Sequence, residues 1–283
     1  RSKYIDLCLR EGLNPRASLV LKKGKDSKQI NLMHQGMGDK MGKILAISIE
    51  RMPEVEKMLL SDNNLTDVSL PSIVNSMSTI TTLIDLDLST NTVGSATGKA
   101  MCAYLELKSC NIEKLSMHHC EIDDTACQLF VVSLLKENHV SKLNHLDVSN
   151  NKIGKLEKLG CDSAGVTFAK WFKRADCQLH TLNLSWNMLR GESGATLCRA
   201  LKSNTSLLHL DLSYNALGRD GGLALGSAIL ENKTLKTLLI GNNNFDSVAT
   251  FTICAGIIEN ETLQLVSLDG NPIGERGASA LMM

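Results

Sequence analysis

The sequence predicts a right-handed α/β solenoid: a horseshoe with a parallel β-sheet on its concave face and helices on its convex face. Three observations predict it. A segment of the form L-x-x-L-x-L-x-x-N-x-L recurs along the chain, most clearly over 143–154, 179–190 and 207–218. Its copies begin at Ser27, Val55, Leu83, Ile112, Leu143, Leu179, Leu207, Leu235 and Leu263, with steps of 28, 28, 29, 31, 36, 28, 28 and 28 residues. Self-similarity at such a period marks a stacked-repeat architecture. After each copy the apolar residues change to helical spacing, as Leu223, Leu225, Ala228 and Ile229 do.

Within a copy, L-x-L has period two, so Leu210 and Leu212 point one way and Asp211 the other, as on a short strand. The ninth position reads Gln35, Asn63, Asn91, Cys120, Asn151, Asn187, Asn215, Asn243 and Asn271. A buried Asn there can bond the backbone of its own turn and of its neighbour, so these residues are expected to form a ladder, with Cys120 as a substitute. The helical stretch follows. Asn204, Asn232 and Asn260 then stand where the helix turns back, and a residue tolerant of left-handed geometry is expected there. No unit buries its apolar face alone, so stability comes from neighbours.

Two segments are expected: a helical N-terminal cap over 1–26 and a nine-repeat array over 27–283. In the cap, Tyr4, Ile5, Cys8 and Leu9 share a helical face and Asn14-Pro15 is read as the stop. The ninth repeat ends before a full unit with no polar cap, so the chain is expected to be a fragment or to continue past Met283. The long step between Leu143 and Leu179 places an insertion near 155–165, and insertions in solenoids go to loops on one edge.

The 28-residue step and the L-x-x-L-x-L-x-x-N-x-L-G form resemble the ribonuclease-inhibitor-like leucine-rich repeats over about residues 27–283. That family includes inhibitors, immune sensors, a GTPase activator and ciliary scaffolds, so the resemblance implies the fold more than a function. The segment from Tyr4 to Leu21 looks like the cap preceding such repeats in proteins of eukaryotic cytoplasm and cilia. The resemblance implies a cytoplasmic and, on the cap, a ciliary or cytoskeletal setting.

Composition narrows the function. There are 30 Lys+Arg against 30 Asp+Glu, which argues against a nucleic-acid partner, and no apolar run is long enough to span a membrane. Nine cysteines without a Cys-x-x-Cys pair fit a reducing compartment better than a disulfide scaffold. Asn-x-Ser/Thr sequons at Asn64, Asn183, Asn204, Asn232 and Asn260 are read as by-products of the repeat, since three share one register. Neither Gly36 to Lys43 nor Gly94 to Lys99 has P-loop spacing. The seven histidines lack metal-ligand spacing, and Cys102, Cys198 and Cys254, with Gly226 at the same position, read as small packed residues where helix meets strand. No cofactor, metal, catalytic group or small-molecule substrate is expected.

The remaining candidate is the concave face. Its outward residues are read as Asp85, Asp87, Ser89 and Thr90; Lys114, Ser116, His118 and His119; His145, Asp147, Ser149 and Asn150; Thr181, Asn183, Ser185 and Trp186; and His209, Asp211, Ser213 and Tyr214. Asp87, Asp147 and Asp211 form an interrupted acidic stripe, although Asp-x-Ser is also ordinary for the repeat. Trp186 and Tyr214 are adjacent aromatics of the kind enriched at binding hot spots. A non-catalytic scaffold is expected, binding a protein partner through Trp186, Tyr214, Asp147, Asp211, His145, His209, Asp87 and His118. The alternatives are a GTPase-activating protein resembling the Ran activator and the ligand-sensing end of a larger immune receptor. For the activator, the early loops lack an arginine after the ascending turn and no acidic tail is present.

Overall fold

A computed structural model describes residues 2–16, 28–50, 52, 54–136, 141–155 and 163–282. Nine three-residue strands form one parallel sheet in strict sequence order: β1 (Gln29–Asn31), β2 (Lys57–Leu59), β3 (Asp85–Asp87), β4 (Lys114–Ser116), β5 (His145–Asp147), β6 (Thr181–Asn183), β7 (His209–Asp211), β8 (Thr237–Leu239) and β9 (Leu265–Ser267). The register repeats without slip, Leu146 opposite Leu182 and Leu182 opposite Leu210. The central residue of each strand from β1 to β8 is buried while its two neighbours are less so, and Val266 of β9 is partly buried; this is the alternation the L-x-L pattern dictates.

Helices return the chain from each strand to the next: α2 (Gly38–Ile49), α3 (Leu70–Ser76), α4 (Ser95–Leu105), α5 (Asp124–Ser133), α6 (Ala164–Phe172), α7 (Gly191–Ala200), α8 (Gly218–Glu231), α9 (Ser247–Ile258) and α10 (Gly274–Leu281). Acidic side chains of one repeat hold the next repeat's helix start. Asp67 accepts from the backbone N–H groups of Gly94, Ala96 and Thr97 at 2.9, 2.9 and 3.1 Å, satisfying donors at the start of α4. Asp39 does the same for Thr66, with Ser69 donating to it as well.

Along the ascending turns the asparagines form a continuous ladder. Asn151 Nδ2 donates to the carbonyls of Met117, one repeat back, and Val148, in its own turn, at 3.0 and 2.9 Å. Its Oδ1 accepts from Cys120 N–H and Ile122 N–H, both at 2.9 Å. The donor half of this arrangement recurs at Asn63, Asn91, Asn187, Asn215, Asn243 and Asn271. Cys120 stands in the series with its thiol donating to Leu88 O at 3.2 Å.

Four readings of the sequence need correction. Asn204 and Asn232 are extended, with φ of −79 and −71°, not left-handed. They and Asn260 form a second ladder on the opposite edge: Asn232 Nδ2 donates to Leu201 O and Asn204 O, and its Oδ1 accepts from Thr234 and Leu235 N–H. Asn260 repeats the contact one unit on, to Ile229 O and Asn232 O. The left-handed position lies instead just before the first ladder, at His34, Asp62, Thr90, His119, Asn150, Trp186, Tyr214 and Asn242. At the N-terminus, α1 (Ser2–Arg10) buries Tyr4 and Cys8 but leaves Leu9 exposed. It ends not at Asn14-Pro15 but at Gly12, whose φ of +66° lets Leu13 N–H reach back to Cys8 O. Gly226 marks where helix meets helix rather than strand: a Cβ there would lie 2.4 Å from Thr252 O on α9. Ser89 and Ser185 are buried rather than outward, because the chain leaves strand geometry at the turn.

Candidate functional site

The concave surface is built from the two outward positions of each strand and the turn that follows. The first positions of β4 to β7 are Lys114, His145, Thr181 and His209; the third positions are Ser116, Asp147, Asn183 and Asp211. The acidic residues at the third position have local work. Asp87, Asp147 and Asp211 each accept a hydrogen bond from the backbone N–H two residues on, at 2.9, 2.9 and 2.8 Å. Asn183 serves its own turn in the same way at 3.0 Å. This is an Asx-type turn contact, which explains the recurring Asp-x-Ser without a ligand.

His145, His209 and His118 are exposed, and His209 Nδ1 lies 3.0 Å from Thr237 Oγ1. Partial burial, with Lys114, His180 and His209 nearby, holds the His145 imidazole below its ordinary value. Asp85 opposes these contributions in part.

At one edge of this surface the Trp186 indole lies flat on the Tyr214 ring, centroids 3.8 Å apart and planes 9° apart. They remain 55% and 42% exposed, so the pair presents a broad aromatic surface to solvent. Both hold left-handed backbone, φ +55 and +54°, where a bulky side chain is disfavoured and Asn or Gly fits best. Their identity is thus not explained by turn stability.

No group of three or more His, Cys, Asp or Glu suited to a metal ion occurs among the described residues. The eight described cysteines are free thiols, and burial pushes Cys120 and Cys198 up to about 12, far from a nucleophilic thiolate. The insertion expected near 155–165 falls mainly on 156–162, outside the described residues. Among the described residues no helix is long and apolar enough to cross a membrane.

A family model described as Leucine Rich repeat matches residues 139–155, 203–226 and 259–282. The ribonuclease inhibitor of Sus scrofa is 29% identical over 154 residues, covering 54% of this chain and 32% of that protein. The repeats of this chain are similar to those of the ribonuclease inhibitor. This leucine-rich-repeat chain is also similar to NACHT, LRR and PYD domains-containing protein 5 of Mus musculus, at 27% identity over 54% of this chain and 15% of that one. Protein 3 of the same series, from Rattus norvegicus, is 25% identical over 74% of this chain and 19% of its own length. The chain thus spans between 15% and 32% of the length of these relatives. Among solved structures, a Bacteroides fragilis protein superposes with a TM-score of 0.55 at 15% identity, covering 96% of this chain and 75% of that one, a likeness of fold.

Proposed function

We propose that the chain is a non-catalytic protein-binding scaffold that holds a partner protein on its concave face, anchored by Trp186 and Tyr214. The observation that carries this reading is the exposed, stacked aromatic pair in backbone geometry that favours smaller residues. Strained, solvent-facing aromatics support a role outside folding. His145, His209 and His118 would add adaptable polar contacts, and Asp87, Asp147 and Asp211 would contribute the free lone pairs of carboxylates already fixed by their turns. A relative named ribonuclease inhibitor acts by engaging another protein, in keeping with this reading.

The test is affinity capture from cell extract with mass spectrometry, comparing wild type with Trp186→Ala/Tyr214→Ala. A partner lost by a variant whose melting curve is unchanged supports the reading. Identical captures sink it.

A second reading, the sensing region of a larger receptor, is favoured by the match to the Rattus norvegicus relative across most of this chain. The complete transcript decides it: a nucleotide-binding domain encoded upstream supports the receptor, and a start codon adjoining the cap rejects it.

A further inference from the structure

We infer that α9 is a self-association surface, through which two copies of the chain meet with their α9 helices antiparallel. Between Ser247 and Ile258 this helix carries no Asp, Glu, Lys or Arg. Its inner side, including Ala249, Ile253 and Cys254, packs into the array. Its outer side is apolar as well: Val248, Phe251 and Ile258 are 45, 57 and 60% exposed, with Ala255 exposed between them. Neighbouring helices face solvent with charge, through Glu192 and Arg199 on α7 and Arg219 and Asp220 on α8. A surface helix that turns an uncharged, apolar stripe to solvent marks a contact surface.

The spacing of the outer stripe identifies the occupant. Positions 248, 251, 255 and 258 step by three, four and three, the a/d seam of a coiled coil. Laid against a reversed copy of itself, the stripe pairs Val248 with Ile258 and Phe251 with Ala255, each contact occurring twice about a twofold axis level with Ile253. Each large ring then meets a small residue, as an isologous interface requires. Leu230, 46% exposed one repeat before Ile258, widens the patch on α8.

Charge agrees with the same arrangement. Glu259 caps the C-terminus of α9, the negative pole of its own helix, and makes no ion pair among the described residues. In the antiparallel pairing it faces Ser247 of the second copy, at the positive pole. Arg219 stands beside that pole and pairs with the N-cap Asp246 through its Nε at 2.8 Å, so its terminal guanidinium nitrogens are the donors that Glu259 of the second copy would meet.

Sedimentation velocity of the whole chain from low to high micromolar concentration tests this. The wild type should shift from monomer to dimer with concentration. Phe251→Asp, at an exposed position, should stay monomeric with an unchanged melting curve, and Glu259→Lys should weaken association about tenfold, the contact occurring twice. A Val248→Cys/Ile258→Cys variant should oxidise to a covalent dimer, fixing the antiparallel register. A wild type monomeric throughout overturns the inference. So does a dimer that survives Phe251→Asp but is lost on Leu265→Lys, at the outward first position of β9 on the sheet face. Uptake by phosphatidylcholine vesicles without dimerisation also overturns it, assigning the stripe to lipid.

Discussion

Trp186 and Tyr214 stack at 3.8 Å from equivalent positions of adjacent repeats, and both pay for that placement with left-handed backbone. The equivalent residues of other repeats include Asn150 and Asn242, which adopt the same φ with less strain. Relieving two such residues recovers roughly 1 kcal/mol each, and losing the stack costs about 0.5–1.5 kcal/mol. Trp186→Asn/Tyr214→Asn should therefore melt at or slightly above the wild-type temperature. If the aromatic pair anchors a partner, titration calorimetry with that partner should show affinity reduced about thirtyfold or more.

Cys120 occupies a ladder position where the other repeats from the second onward carry Asn. Its thiol reaches Leu88 O, but a sulfur atom is a weak acceptor for the Asn91 N–H that faces it. Cys120→Asn should restore a full amide rung and stabilise the array by about 0.5–1.5 kcal/mol; Cys120→Ala should cost about 1–3 kcal/mol, because buried backbone groups lose their partner. Urea unfolding of the two variants against wild type gives the sign of each. With its thiol pushed up to about 12 by burial, Cys120 should also resist iodoacetamide at neutral pH until the array opens.

The repeat was legible because its signal is local and redundant: Leu86, Leu146, Leu182 and Leu210 carry the same period-two pattern onto the same strand position. The asparagine ladder was legible for the same reason. Asn204 and Asn232 were not, because asparagine suits both a left-handed turn and an amide rung, and only the backbone angles separate the two. Ser89 departs from the outward pattern because alternation ends where the strand ends, after three residues. The exposed stripe on α9 has no signature in the sequence, because Val248, Phe251 and Ile258 are residue types that serve a core equally well and only their exposure in the fold sets them apart. Adjacency of Trp186 and Tyr214 followed from the period, whereas their flat stacking depended on side-chain rotamers.

The α8–α9 contact has no room for a side chain at its closest point. A Cβ on Gly226 would sit 2.4 Å from Thr252 O, and one on Gly256 would sit 2.4 Å from Gly226 O. Both obstacles are backbone, which cannot rotate aside. Gly226→Ala should destabilise by about 1–3 kcal/mol through forced separation of the helices, even though alanine is the better helix former. Cys198, at the equivalent position in α7, shows that the constraint belongs to this helix pair. A lower denaturation midpoint for Gly226→Ala, beside an unchanged midpoint for Ser227→Ala on the exposed side, would separate packing from propensity.

Asp67 ties the second repeat to the start of α4, and its ionisation should make that tie acid-sensitive. Partial burial opposes the charge, but the Thr97 hydroxyl and the backbone N–H groups of Ala96, Gly94 and Thr97 outweigh it and hold the carboxyl below the usual carboxylate range. A folded-state value below the unfolded one, about 3.9, means the contribution is complete above roughly pH 4 and is lost as pH falls through the folded value. Asp39, held low in spite of partial burial by Ser69 and Thr66, adds a second contribution of the same sign. Asp67→Ala should cost about 1–2 kcal/mol at neutral pH, the usual loss for a helix cap. It should also lose less stability than the wild type between neutral and strongly acid pH. Melting curves of both proteins across that range read the difference directly, and parallel pH profiles would show that Asp67 is not a charged cap.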